Sequence, residues 1–302
     1  MKRIAMLLGV TVLATACSTA AAPVVAAPTT AAPTATPTRT ATAAPTVAPT
    51  KTSVPLPKFD QVPVAAEDPV GLAAQLVMAE GFIRDTAVTG DQLAWAGHME
   101  ELVLGQLSDY PDWVPQVVGA LPESQKAAFN GSIEAGRQLR TMHGPIPKTL
   151  PDWHIVAPAP IDDLLAYYKE GEAKFGVPWY YLASINLIET RMGRIRGDST
   201  AGAQGPMQFI PQTWAAYGQG DVNSPHDAIL AAARYLKAAG APGDMTKAVF
   251  AYNHSLGYTN AVIAYAEAMH ADPFAYRGYY GWQVYYGTVD GTILMPVGWK
   301  KE

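Results

Sequence analysis

Val177-Pro-Trp-Tyr-Tyr-Leu-Ala-Ser-Ile-Asn-Leu-Ile-Glu-Thr-Arg-Met-Gly193 and the later run Ser199-Thr-Ala-Gly-Ala-Gln-Gly-Pro-Met-Gln-Phe-Ile-Pro211 decide how this chain is read. The first run predicts a helix, because Pro178 suits a first helical position, apolar residues dominate, and Gly193 is a natural stop. At 100° per residue Trp179, Leu182, Ile185, Glu189 and Met192 fall on one stripe, so a carboxyl group in the last turn shares a face with inward-pointing residues. Desolvation and the negative end of the helix dipole both disfavour its anion and raise its pKa. The spacing also argues against neutralisation by a neighbour. Arg191 projects from the other side of the helix, and no arginine stands three or four residues from Glu189.

The loop from Gly197 to Gly205, which overlaps the start of the second run, holds three glycines with Ser199 and Thr200, leaving few side chains between its backbone and a ligand. Further on, Asp227-Ala228 opens an Ala-rich helix, and Ala251-Tyr-Asn-His-Ser255 follows another. These four blocks, in this order, resemble the soluble lytic transglycosylase family, which has a mainly α, lysozyme-like fold and acts on peptidoglycan.

The resemblance implies that Glu189 is the single catalytic acid and base. A glycosidic bond needs a carboxylic acid still protonated near neutrality, because the leaving oxygen must receive a proton. By the same resemblance Ser199 contacts the catalytic carboxyl or the substrate N-acetyl group. Met207 and Gln208 wall and hydrogen-bond the sugars, the Tyr252 hydroxyl bonds the active carboxyl, and Asn253 lines the saccharide site. Two positions depart from the family pattern: Pro206 replaces a frequent leucine, and His254-Ser255 replaces Ala-Gly. The implied reaction cleaves the bond between MurNAc and GlcNAc with formation of a 1,6-anhydro ring. A hydrolytic muramidase would need a second carboxylate, for which Asp198, Asp221 and Asp227 are the candidates. A glycan-binding lipoprotein without catalysis is the third reading.

Met1-Lys-Arg followed by the apolar run Ile4 to Ala16 reads as a secretory signal, too short to span a membrane. Leu13-Ala-Thr-Ala-Cys17 resembles the lipobox of bacterial lipoproteins, with its leucine one residue farther from the cysteine than usual. Cys17 is the lipidation candidate and the only cysteine, so no disulfide framework or thiolate metal site is available. Two acyl chains there would give stable anchoring. Residues 18–65 are almost wholly Ala, Pro, Thr and Val and predict a polyproline-like tether. Its reach, at about 3.1 Å per residue over some 45 residues, is at most on the order of 140 Å. This places the enzyme outside the cytoplasm, anchored to the membrane and reaching into the cell wall.

Residues 66–145 predict a helical module, with Asp68-Pro69 as a cap, and 146–302 the catalytic domain. Pro145 to Pro160 marks the boundary, since its prolines exclude a helix. Within the catalytic part, helices are expected over 161–175, 211–217, 227–239, 244–252 and 258–270, with Asn223-Ser224-Pro225 and Asp244 as caps. Trp282 to Met295 predicts a β-hairpin turning at Asp290-Gly291 in type I′ geometry, its aromatics either stacking on sugar rings or, as the favoured reading, covering the helical core. At net charge −5 and pI near 5.7 there is no basic stripe for nucleic acid. No cofactor motif and no metal-ligand spacing appears, so the partners read are peptidoglycan strands and the membrane, with the chain a monomer.

Overall fold

The structure, a computed structural model, describes residues 56–142, 144, 146 and 148–301, and those from Phe59 onward belong to one unit. The signal segment, Cys17 and nearly all of the tether lie outside the described residues. The architecture is mainly helical, as the lysozyme-like reading requires. In chain order come α1 (Pro69–Arg84), α2 (Gly90–Asp109), a 3-10 turn (Pro111–Trp113), α3 (Val114–Gly119), α4 (Glu123–Arg140), β1 (His154–Ile155), α5 (Ile161–Phe175), α6 (Trp179–Thr190) and β2 (Ile195–Arg196). They are followed by α7 (Pro211–Tyr217), α8 (Pro225–Ala239), α9 (Met245–Asn253), α10 (Leu256–Ala271), α11 (Ala275–Gly281), β3 (Val284–Thr288) and β4 (Gly291–Met295).

Local chemistry sets many of these boundaries. Asp68 accepts hydrogen bonds from the Val70 and Gly71 amides at the start of α1, Ser224 from Asp227 at α8, and Asp244 from Lys247 at α9. Each cap satisfies amides that a helix start leaves open, an effect of about 1 kcal/mol. Helix α6 differs from its expectation in three ways. It begins one residue after Pro178, and it stops at Thr190 with Arg191 and Met192 both in left-handed conformation. It is also not amphipathic: every residue from Tyr181 to Thr190 is buried while Trp179 is half-buried, so no stripe faces solvent.

Helix α6 is a central strut. It packs on α10, with the Ser184 hydroxyl donating to the Val262 carbonyl at 2.8 Å, and on α5. Leu182, Ile185 and Leu187 are fully buried, each contributing roughly 2 kcal/mol. The N-terminal helices share this interior, for Leu72, Leu76, Met99 and Val103 lie in the same apolar cluster as Leu182, Val262 and Tyr265. Helices α4 and α10 make the most extensive helix contact in the fold.

Short α11 was not expected from its glycines. At Gly97 of α2 a Cβ would collide with the Gly278 carbonyl and the Gly281 backbone, so glycine is what lets α2 and α11 approach. Buried carboxylates of α2 complete that contact. Glu100 accepts from the Trp282 indole at 2.9 Å, and Glu101 accepts from the Gln283 amide at 2.7 Å and pairs with Arg191 at 3.3 Å. Desolvation pushes both carboxyls up to about 7.

Strand β1 pairs antiparallel with β2, and the chain near Trp299 adds to its other side, the Ile155 amide donating to the Trp299 carbonyl and the Gly298 amide to the Ile155 carbonyl. The hairpin β3–β4 forms, but Thr288 pairs with Gly291, so Val289 and Asp290 make the turn. Neither has positive φ, so the turn is not type I′.

Replacing Glu101 with Ala would strand Arg191 in the interior and leave the Gln283 amide without its acceptor. The expected cost is about 3 kcal/mol of unfolding free energy, measured by denaturant titration; a loss below about 1 kcal/mol would show that the pair does not hold α2 in place.

Candidate active site

Glu189 ends α6 with 6% of its surface exposed, and its carboxyl opens on a cavity of about 360 Å³. The Tyr258 hydroxyl donates to Oε1 at 2.5 Å. Burial raises the Glu189 pKa to about 7, and the Tyr258 bond, which favours the anion, only partly opposes it. Tyr258 is itself buried and held far above its ordinary range, so it remains a neutral donor. Arg191 faces Glu101, Arg194 donates to the Tyr280 carbonyl and Arg196 to that of Asn223. The three nearby cations are thus engaged elsewhere, and desolvation decides the proton.

The glycine-bearing loop is fixed to α6 from below. The Pro206 carbonyl accepts from Asn186 Nδ2 at 2.7 Å and from Thr190 Oγ1 at 2.6 Å, while the Tyr168 hydroxyl donates to Asn186 Oδ1 at 2.6 Å. Gln204 and Phe209 exchange two backbone bonds of 2.9 Å, closing the end of the loop. The loop backbone therefore stands in a fixed place beside the acid.

Ser199, Gln208 and Glu189 line the same cavity. The Ser199 hydroxyl oxygen accepts from the Ala201 and Ala203 amides at 3.2 and 3.0 Å, which shapes the loop; no bond to the carboxyl is formed. Gln208 also lines a second cavity of about 160 Å³ with Phe209, Tyr235, Tyr252 and His254, so it stands where the two meet. The Met207 side chain is fully buried in the core, and its carbonyl accepts from the Tyr252 hydroxyl at 2.7 Å.

The contact anticipated for Tyr252 is made by Tyr258 instead. Asn253 ends α9 with its Oδ1 buried and without a hydrogen-bond partner among the described residues. Left-handed His254 then turns the chain, and Ser255 caps α10 by accepting from the Tyr258 amide. Tyr258 thereby enters the first turn of the helix that packs on α6. The signal was in the sequence, a serine cap with tyrosine three residues later, just beyond the Ala251–Ser255 block.

Sequence reasoning also missed the far wall of the cavity, formed by residues 149–153 and Tyr286. Of the proposed second carboxylates, Asp198 lines the cavity, as does Asp152. Asp227 accepts from the Asp221 amide at the start of α8, and neither of those two lines it.

The fold thus holds one carboxyl of raised pKa over a cleft with a glycine-bearing loop alongside, an arrangement able to deliver a proton to a bound molecule. Residues 166–274 match the family model described as the Transglycosylase SLT domain. The chain carries that domain over these residues, which supports peptidoglycan activity of the lytic transglycosylase type in general. No curated protein and no solved structure matches the chain.

The position of the Glu189 proton has a sign that can be checked. In the fold the carboxyl holds its proton up to about 7, whereas the unfolded chain releases it near the ordinary 4.5. Between those values the native state binds the extra proton, so stability falls as pH rises through this window. Glu189→Gln keeps a neutral group with the same Tyr258 acceptor. Its melting temperature is expected to exceed that of the wild type by a margin that grows from pH 4.5 to 7 and then levels; a margin independent of pH would contradict the assignment.

Proposed function

We propose that this chain cleaves the β-1,4 bond between MurNAc and GlcNAc as a lytic transglycosylase, with Glu189 as the only acid and base. The observation that carries the reading is a buried carboxyl with no ion pair among the described residues, held by the Tyr258 hydroxyl and open to a cavity of glycan size, with burial raising its pKa to about 7. Protonated Glu189 gives its proton to the departing glycosidic oxygen while the substrate's own N-acetyl group supports the anomeric carbon. The resulting carboxylate, steadied by the Tyr258 hydroxyl, takes the proton of the MurNAc C6 hydroxyl, whose oxygen closes the 1,6-anhydro ring. Glu189 ends protonated and no water is consumed.

One observation favours a hydrolytic second reading. Asp198 lines the same cavity as Glu189, where a carboxylate acting as base would activate water. Digestion of purified peptidoglycan separates the two by product mass. Anhydro ends, lighter by one water than reducing ends, are expected, and Glu189→Gln should release at least a thousandfold less product, an effect on the order of 4 kcal/mol. Hydrated ends would reject the anhydro mechanism, and equal inertness of both proteins would leave only glycan binding.

The same reading places the enzyme on the outer side of the cell membrane. The signal segment is removed, Cys17 carries the lipid, and residues 18–65 hold the catalytic unit out in the wall. Labelling with a fatty-acid probe is expected to mark the wild type and not Cys17→Ala; equal labelling of both would remove the anchor from this account.

A further inference from the structure

The far wall of the Glu189 cavity lies outside residues 166–274, and it has an apolar cluster of its own. Its residues come from the proline-bearing approach to β1 and from β3. Ile155, Ile195, Val284, Tyr286 and Met295 form a second apolar cluster, separate from the main core, with Trp153 packed against it. The Tyr286 hydroxyl reaches the Thr149 carbonyl at 3.4 Å, and the Val156 amide donates to Arg194 at 2.9 Å. Across the cavity Gly197, with φ +142°, has room for no Cβ against the Asp152 carbonyl and the Trp153 indole, so loop and wall meet backbone to ring.

Trp153 is half-buried and lines the cavity. Its ring meets that of Tyr286 at 5.6 Å and 85°. A perpendicular pair covers at most one of its four ring faces, so the indole is propped without being hidden. Among the described residues the cavity lining includes no lysine, arginine or histidine, and it presents Asp152 and Asp198 as hydroxyl acceptors. An apolar ring face beside hydrogen-bond acceptors, with no cation to attract a carboxylate, suits a neutral pyranose.

We propose that Trp153, supported by Tyr286, is a stacking platform for an N-acetylhexosamine ring of the bound strand. This rests on the reading of the cavity as a glycan cleft, and it adds a specificity-determining residue that the matched domain does not contain.

The test uses the full chain with Glu189→Gln to prevent turnover, and the β-1,4-linked tetramer of N-acetylglucosamine as ligand. Calorimetry should show binding, weakened about three- to tenfold by the further change Trp153→Leu and largely restored by Trp153→Tyr. Tryptophan emission should shift with ligand in the parent and lose that shift in Trp153→Phe, a substitution that keeps an aromatic ring against Tyr286. Unchanged affinity in Trp153→Leu, or a shift that persists in Trp153→Phe, would overturn the platform while leaving the cleft assigned. Failure of the parent itself to bind the tetramer would remove the glycan cleft and the platform with it.

Discussion

The hydrogen bond from the Tyr258 hydroxyl to Glu189 joins, at the acid itself, the two helices on which the site depends. Its geometry fixes the acid, yet its electrostatic effect is the wrong one for an acid, because donation to a carboxylate favours the anion. Desolvation outweighs it, and the group remains protonated near neutrality. That balance explains why α6 is buried on all sides. A helix with one wet face would hydrate the carboxyl from a second side besides the cavity and bring its pKa down toward the ordinary carboxylate value.

The rest of the fold holds this arrangement still. Asn186 and Thr190 grip the Pro206 carbonyl from α6 and fix the glycine loop. Two residues beyond the acid, Arg191 turns the chain in a left-handed conformation and reaches Glu101 of α2. The N-terminal helices thus contribute to the floor on which the active-site helix ends. A buried pair of this kind adds little net stability against a hydrophobic substitute, but losing one partner is costly, so it acts as a register lock between α2 and the turn after Glu189.

Much of this was legible in the sequence, where local chemistry carried it. Asp68, Ser224 and Asp244 announce their helices, and Glu189 announces itself by standing at the end of an apolar run followed by a glycine-bearing loop. What was not legible depends on partners far away in the chain. Tyr258 lies 69 residues from Glu189, and nothing in a pattern of turns says which of two nearby tyrosines, 252 or 258, reaches it. The stripe drawn on α6 failed because periodicity marks a face only when another face is wet. Helix α11 was hidden by glycines whose purpose is close approach to Gly97. The cavity wall at 149–153 was hidden because a two-residue strand between prolines carries no periodic signal.

The central claim is that Glu189 is neutral at the pH where the cleft works. Carbon NMR of the protein with its glutamate carboxyl carbons labelled, assigned by the signal that vanishes in Glu189→Gln, reads this directly. The account predicts a carboxyl that titrates with a midpoint at about 7. A midpoint at about 4.5, the ordinary value, would contradict it.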